Sequence, residues 1–168
     1  MGKTMKTGRP DPKLHRDIAA YAKGKRVLDI GCGNKAYSTV SANVVTLDGW
    51  DKTDPDVLLN LEEDDLPFEE GAFGCVLMLD LIEHLSKERG AEILEQAKRV
   101  TSGRVYVFTP SWWDTNESHT NDPNCWAYQN ELNVHKSFWP PEDFAKPQWT
   151  SIGHKTADGE FFWGYWEK

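Results

Sequence analysis

Apolar positions along the chain fall into two rhythms. Leu14, Ile18, Tyr21 and Ala22 recur at helical spacing behind Pro10 and Pro12, which predicts a helix over about 11–23 that stops at Gly24. Short, almost unbroken apolar runs then follow at 26–30, 44–47, 57–61, 75–79 and 105–108, each long enough for a buried strand. A short helix is expected over about 35–41. Ser86 can cap a longer one that runs to Val100, with Ile93, Ala97 and Val100 on one face and Thr101-Ser102-Gly103 at its end. Residues 111–139 read as a long loop, and Pro140 or Pro141 opens a brief helix. Two further strands are expected at 149–152 and 161–166, joined by a turn near Asp158-Gly159.

Continuous apolar strands alternating with helices imply a parallel sheet covered on both faces. The short connection between the last two strands makes them antiparallel. The expected fold class is therefore α/β: a doubly wound, seven-stranded, mostly parallel sheet with an antiparallel C-terminal edge hairpin. The linkers after the second and third strands are short, so helices there are trimmed or absent. At 168 residues there is room for one domain, taken as 11–168, behind a flexible basic leader over 1–10.

Composition sharpens this picture in three ways. The formal net charge is −8, which argues against a broad nucleic-acid-binding surface. The charge is uneven: residues 1–35 hold nine Lys and Arg against three Asp, while residues 48–83 hold twelve acids and only Lys52. Seven of the eight Trp lie between Trp112 and Trp166, so the C-terminal third needs its own explanation. Cys32, Cys75 and Cys125 are widely spaced with no CxxC, which reads as reduced thiols of a cytoplasmic protein rather than a disulfide frame or zinc site. No apolar run reaches the roughly 18 residues of a membrane span, and the N-terminal segment lacks the apolar core of a secretory signal.

The candidate chemistry begins at Gly31-x-Gly33-x-x-Ala36, which follows a strand and fits a dinucleotide-type glycine turn in its Gly/Ala form. Asp29, two residues earlier, argues against a dinucleotide, because its carboxylate would face the pyrophosphate at close range. A cofactor with cationic groups suits the turn better, and S-adenosylmethionine carries a sulfonium and an ammonium with no phosphate. Asp48 ends the second strand, 17 residues after Gly31, where an acid can accept both hydroxyls of an adenosine ribose.

These residues resemble a known family. Val27-Leu28-Asp29-Ile30-Gly31-Cys32-Gly33 looks like the first motif of class I S-adenosylmethionine-dependent methyltransferases. Asn60-Leu61-Glu62 with Leu66-Pro67-Phe68 resembles the segment beside the adenine. Asp80-Leu81-Ile82-Glu83-His84-Leu85 resembles the "D-x-x-E-H-L" end of the fourth strand, and Arg104 to Pro110 the fifth strand with its "TP" end. His135-Lys136-Ser137-Phe138-Trp139 with Pro141-Glu142-Asp143-Phe144 resembles a stretch found in many small members. The resemblance runs from about 24 to 144. It implies that Asp29, Gly31, Cys32 and Gly33 lie against the methionine part of the cofactor, that Asp48 binds the ribose, that Asn60 and Leu61 sit by the adenine, and that Asp80 lines the cleft. The sequence departs from the pattern at Asn60, Gly74 and Lys35, where members often carry Asp or Glu, Asp and Gly respectively.

Methyl transfer is an in-line displacement, so positioning is the main requirement, and a hydroxyl acceptor also gains from a base. His84 and His135 are the candidate catalytic residues. His119 and His154 read as surface residues, and His15 as a residue on the polar face of the first helix. Asp80, Glu83, His84 and His135 could instead hold a divalent metal, an arrangement that resembles RNA 3′-terminal ribose 2′-O-methyltransferases. Trp112, Trp113, Trp126 and Trp139 could wall the acceptor site, while Trp163 and Trp166 read as residues at the sheet edge. The main expectation is methyl transfer from S-adenosylmethionine to a small-molecule or glycan-type acceptor, at oxygen. The alternatives are an RNA-terminal methyltransferase with a metal, and a catalytically idle cofactor-binding module.

Overall fold

The structure, a computed structural model, describes residues 12–156 and 159–168. The expected leader over 1–10 and Asp158 of the expected turn lie outside the described residues.

Helix α1 (Pro12–Ala22) buries Leu14, Ile18 and Ala22, the face its sequence spacing predicts. Gly24 adopts φ +74° behind it, a left-handed conformation that ends a helix without a Cβ clash. Strands β1 (Arg26–Ile30), β2 (Asn43–Asp48), β3 (Val57–Leu58), β4 (Phe73–Leu79) and β5 (Thr101–Pro110) follow, with helix α2 (Lys87–Val100) between β4 and β5. Ser86 caps α2 by accepting a hydrogen bond from the Arg89 backbone N–H at 3.3 Å. Past β5 come a five-residue helix α3 (Glu117–Asn121), then β6 (Trp149–Ser151), β7 (His154–Thr156) and β8 (Gly159–Glu167).

The sheet runs β3-β2-β1-β4-β5-β8-β6, with β7 added on β8. Strands β1 to β5 are parallel, and β8 is antiparallel to β5, β6 and β7. The expected α/β architecture is thus present with one strand more than the seven expected. Strand β8 lies between β5 and β6 rather than at an edge, so Trp163 is fully buried, contrary to the edge position read from the sequence.

Alternate residues of the strands feed two cores. On one face Leu28, Ile30, Val76, Met78, Val105 and Val107 pack against Ile93, Ala97 and Val100 of α2. On the other face Val27, Cys75, Leu77, Tyr106 and Trp163 pack against Leu14, Ile18 and Ala22 of α1. All three cysteines are free and buried. No helix among the described residues is long and apolar enough to cross a membrane.

Two expected elements differ. The helix over 35–41 is replaced by successive tight turns, closed by Lys35 N–H to Cys32 O, Ser38 N–H to Lys35 O and Val40 N–H to Tyr37 O. Lys35 takes φ +59°, which breaks a right-handed helix at its intended first turn. The third strand stops at Leu58, because Leu59, Asn60 and Leu61 leave the sheet to form a turn at the end of β2.

Trp139 was expected near the acceptor, but it is a core residue. Its Nε1–H donates to Ile82 O at 3.2 Å and to Ser137 Oγ at 2.8 Å, and its ring fills the space beside Gly90 of α2. A Cβ at Gly90 would lie 2.6 Å from the indole Cζ2 and 3.2 Å from Ile82 Cγ1. Alanine normally favours a helix over glycine by ~1 kcal/mol. Here the overlap outweighs that gain, so Gly90→Ala should destabilise the fold by about 1–3 kcal/mol in urea unfolding. A variant more stable than the parent would show that the indole does not rest on this glycine.

Candidate active site

The C-terminal ends of β1, β2, β4 and β5 open on a cleft of about 680 Å³. This is the end of an open parallel sheet at which ligands bind, because the strand ends diverge there and leave backbone groups unpaired. The turn after β1 forms one wall. Gly31 N–H and Cys32 N–H both donate to Leu47 O, at 2.8 and 3.1 Å, which ties the turn to β2. Gly31 (φ +71°) could not carry a side chain, since a Cβ would come within 2.7 Å of Leu81 Cδ1. Gly33 lies under Trp126, which reaches over from the long loop and meets Trp50 with ring centroids 6.3 Å apart.

Asp48 holds this turn in shape. One of its oxygens accepts from Gly33 N–H and the other from Trp50 N–H, each at 2.9 Å. Burial still raises its carboxyl above the ordinary carboxylate range, although those N–H groups pull the other way. Asp29 is 2% exposed and its Oδ2 has no hydrogen-bond partner. Desolvation first, and the charge of Asp48 second, push its carboxyl up to about 7. Two neighbouring acids with no cation between them among the described residues make a site that favours a positively charged ligand. Asn60 closes the next turn by accepting from Glu62 N–H at 3.2 Å, beside the buried Leu61.

The floor of the cleft is the turn after β4. Asp80 adopts φ +49° and its N–H donates to Phe108 O at 2.8 Å, which turns the residue out of the sheet. It is open to the cleft, and the enclosing walls push its carboxyl up to about 7. Glu83 is 3% exposed: Oε2 accepts from Thr109 Oγ1 at 2.9 Å and Oε1 has no partner. Desolvation, then the charge of Asp80, hold Glu83 well above the ordinary range.

His84 and His135 meet edge to face with centroids 4.7 Å apart. Burial and then the neighbouring His135 push His84 down to about 3, and burial also lowers His135. His135 Nδ1 lies 2.6 Å from Asp114 O, and that carbonyl can only accept, so the proton sits on Nδ1 and Nε2 is the basic nitrogen. Glu83, His84 and His135 each offer one ligand atom, and these atoms lie within 4.8 Å of one another. Asp80 stands outside that group on the same floor.

All eight residues expected at the cofactor, together with Glu83, His84 and His135, line this one cleft. Of the four expected wall Trp, Trp112 and Trp126 line it, Trp113 points to solvent, and Trp139 is in the core. His119 corrects the surface reading: it lines the cleft and its Nε2 is buried without a partner. Its loop is sewn to the next segment by His135 N–H to Thr115 O, Gln129 N–H to Thr120 O and Asn116 Nδ2 to Asn133 O, all at 2.9 Å. Nothing in the spacing of a short loop helix signals that return, so sequence reasoning missed both His119 and Asp114. The burial of the His154 side chain lies outside what the structure describes.

Residues 28–108 match the family model of a methyltransferase domain. Over those residues the chain has the sequence of a methyltransferase domain. Such domains are enzymes, and S-adenosylmethionine is the methyl donor consistent with the match. The fold of this methyltransferase is similar to that of magnesium protoporphyrin IX methyltransferase from Synechocystis PCC 6803 with bound SAH, at 11% identity and TM-score 0.60, over 93% of this chain and 82% of that one. It is also similar to a SAM dependent methyltransferase from Archaeoglobus fulgidus, at 15% identity and TM-score 0.63, over 93% and 92% of the two chains. A putative methyltransferase complexed with the Haloferax volcanii Trm112 activator gives 13% identity and TM-score 0.62, over 92% and 88%. No curated protein matches the methyltransferase by sequence.

The carboxylates generate two predictions. A cationic cofactor favours ionised Asp29, so the free protein, with Asp29 near 7, must release a proton to bind. S-adenosylmethionine affinity should rise as pH rises from 5 to about 7 and then level off, with proton release measurable by calorimetry in buffers of different ionisation enthalpy. For the unliganded fold the sign is opposite. Asp29 binds its proton more tightly folded than unfolded, so its contribution falls as pH rises from about 4 to about 7. Asp29→Asn should therefore remove part of that loss in urea titrations while weakening the cofactor. Asp48→Ala should weaken the cofactor by about 1–3 kcal/mol through lost charge-assisted hydrogen bonds. Unchanged affinity would refute its place at the cofactor.

Proposed function

We propose that the methyltransferase acts on an oxygen of a small-molecule or glycan-type acceptor. The observation that carries this is the set of groups on the cleft floor. Asp29, Gly31, Cys32, Gly33 and Asp80 take the methionine end of the cofactor, Asp48 the ribose, and Asn60 with Leu61 the adenine. Glu83, His84 and His135 line the same cleft with their ligand atoms within 4.8 Å of one another, which supports reading them as the acceptor side. Displacement at the methyl needs the acceptor oxygen in line with the sulfonium, which is a matter of holding two molecules in one geometry. His135 is the better base of the two imidazoles, with Nδ1 fixed on Asp114 O and Nε2 left to take the acceptor proton. His84, lowered to about 3, stays neutral and is a weak base that orients rather than accepts. Tritium transfer from labelled S-adenosylmethionine to small molecules, glycans and RNA oligomers tests the reading. His135→Ala should lower the rate about 10²–10⁴-fold with cofactor affinity kept. Binding of S-adenosylhomocysteine without any labelled acceptor would favour the idle cofactor-binding module.

A second reading is favoured by the close approach of Glu83, His84 and His135. Two neutral imidazoles and a buried carboxylate whose Oε1 has no partner fit a divalent metal. The Asp114 carbonyl on His135 Nδ1 is the outer contact that fixes a ligating ring. A metal there would act as a Lewis acid on an acceptor hydroxyl, including that of an RNA 3′ end. Mn²⁺ calorimetry should then detect a site that His84→Ala removes. No Mn²⁺ binding, with full activity in EDTA, would rule the metal out.

A further inference from the structure

Beyond the cofactor, the acceptor end of the cleft has two unlike walls. One is aromatic. Phe108 and Phe161 stack at 4.4 Å, with their planes 19° apart. Trp112 stands edge-on to Phe161 at 4.9 Å and is 36% exposed, so its ring presents apolar surface that nothing among the described residues covers. Pro110 and Tyr37 extend this wall. The other wall is polar and carries Asp114, Asn116, His119 and His135. An acceptor that fills the space must therefore be apolar and planar on one side and polar at one edge.

Charge narrows the choice further. Six carboxylates line the cleft: Asp29, Asp48, Glu62, Asp80, Glu83 and Asp114. Among the described residues only one cation lines it, Lys136, and its Nζ is 3.4 Å from Glu62. A phosphate group would meet acids with no unpaired cation to receive it. A glycan can stack on Trp112, but its remaining hydroxyls would meet the side chains of Phe108, Pro110 and Phe161, which offer neither donor nor acceptor.

We infer that the methyl acceptor is an uncharged, hydroxylated aromatic small molecule, stacked on the exposed ring of Trp112 with its hydroxyl turned toward His135 and His119. The inference rests on the oxygen-methyltransferase reading of the same cleft and narrows its substrate class. Trp112 is then a specificity-determining residue, touching the acceptor and not the cofactor.

The test uses the full chain saturated with S-adenosylhomocysteine, confirmed first by calorimetry. Saturation-transfer NMR is recorded with catechol, with cellotetraose and with a short RNA, and tritium transfer is run with the same three on S-adenosylmethionine. Catechol should show saturation transfer and label, and the other two should not. Trp112→Ala should weaken catechol binding at least tenfold and change S-adenosylhomocysteine affinity less than twofold. Trp112→Phe, which keeps a ring, should recover most of the loss. Labelling of cellotetraose or RNA in place of catechol would overturn the inference, as would a Trp112→Ala variant that binds catechol normally. So would loss of S-adenosylhomocysteine binding in both Trp112 variants, because the residue would then be structural. Failure of the parent chain to bind S-adenosylhomocysteine would defeat the methyltransferase reading itself, a result separate from any acceptor outcome.

Discussion

Carboxyl groups held at strand ends, with no partner cation among the described residues, organise this molecule. Asp29 sits at the end of β1, 2% exposed, with one oxygen unpaired and Asp48 as its charged neighbour. Such a pair is a liability in a fold that needs only stability, since both acids are desolvated and the charge of Asp48 further raises Asp29. It becomes an asset when a ligand brings the missing positive charge. The rest of the cleft follows from that constraint. The glycines let the chain pass close to the site, Asp48 pins the turn through its backbone N–H bonds, and Trp126 closes over Gly33 from the long loop.

The fold serves this arrangement with few parts. Only α1 and α2 cover the two faces, and tight turns replace the helix after β1. Trp50 and Trp126, with ring centroids 6.3 Å apart, line a small pocket beside these turns together with Asn34 and Lys35. The loop after β5 therefore has two duties. It buttresses the glycine turn through Trp126, and it supplies His119, Asp114 and His135 to the cleft. Trp139, further along the same stretch, is anchored under α2 by its indole N–H, which fixes the end of the loop to the core.

Much of this was legible in the sequence wherever the determinant is local. Val27 to Gly33 announces its strand and turn because unbroken apolar residues followed by glycines admit few other conformations. Ser86 announces α2 because a cap and a helical stripe lie within one window. What the sequence did not disclose depends on distant parts of the chain. The helix expected over 35–41 has adequate local spacing, yet Lys35 is drawn into a left-handed turn with its ammonium on the Asp54 backbone, 19 residues away. Trp163 reads as an edge residue until β8 is known to insert between β5 and β6. His119 reads as a surface residue until its loop folds back on residues 129–135. Asp80, Glu83 and His84 come together through one turn and were foreseeable, whereas the meeting of His84 with His135 crosses fifty residues and needed the structure.

The central claim is that Asp29 and Asp48 beside the glycine turn, with no partner cation among the described residues, receive a cationic, phosphate-free cofactor. Isothermal titration of the intact chain at pH 7.5, with S-adenosylhomocysteine and NAD⁺ in parallel, tests it most directly. S-adenosylhomocysteine keeps the ammonium and the ribose hydroxyls, so it should bind one-to-one, and Asp29→Asn should weaken it while NAD⁺ gives no heat. Saturable binding of NAD⁺ with none of S-adenosylhomocysteine would contradict the account, because the pyrophosphate would then be sitting where Asp29 forbids it.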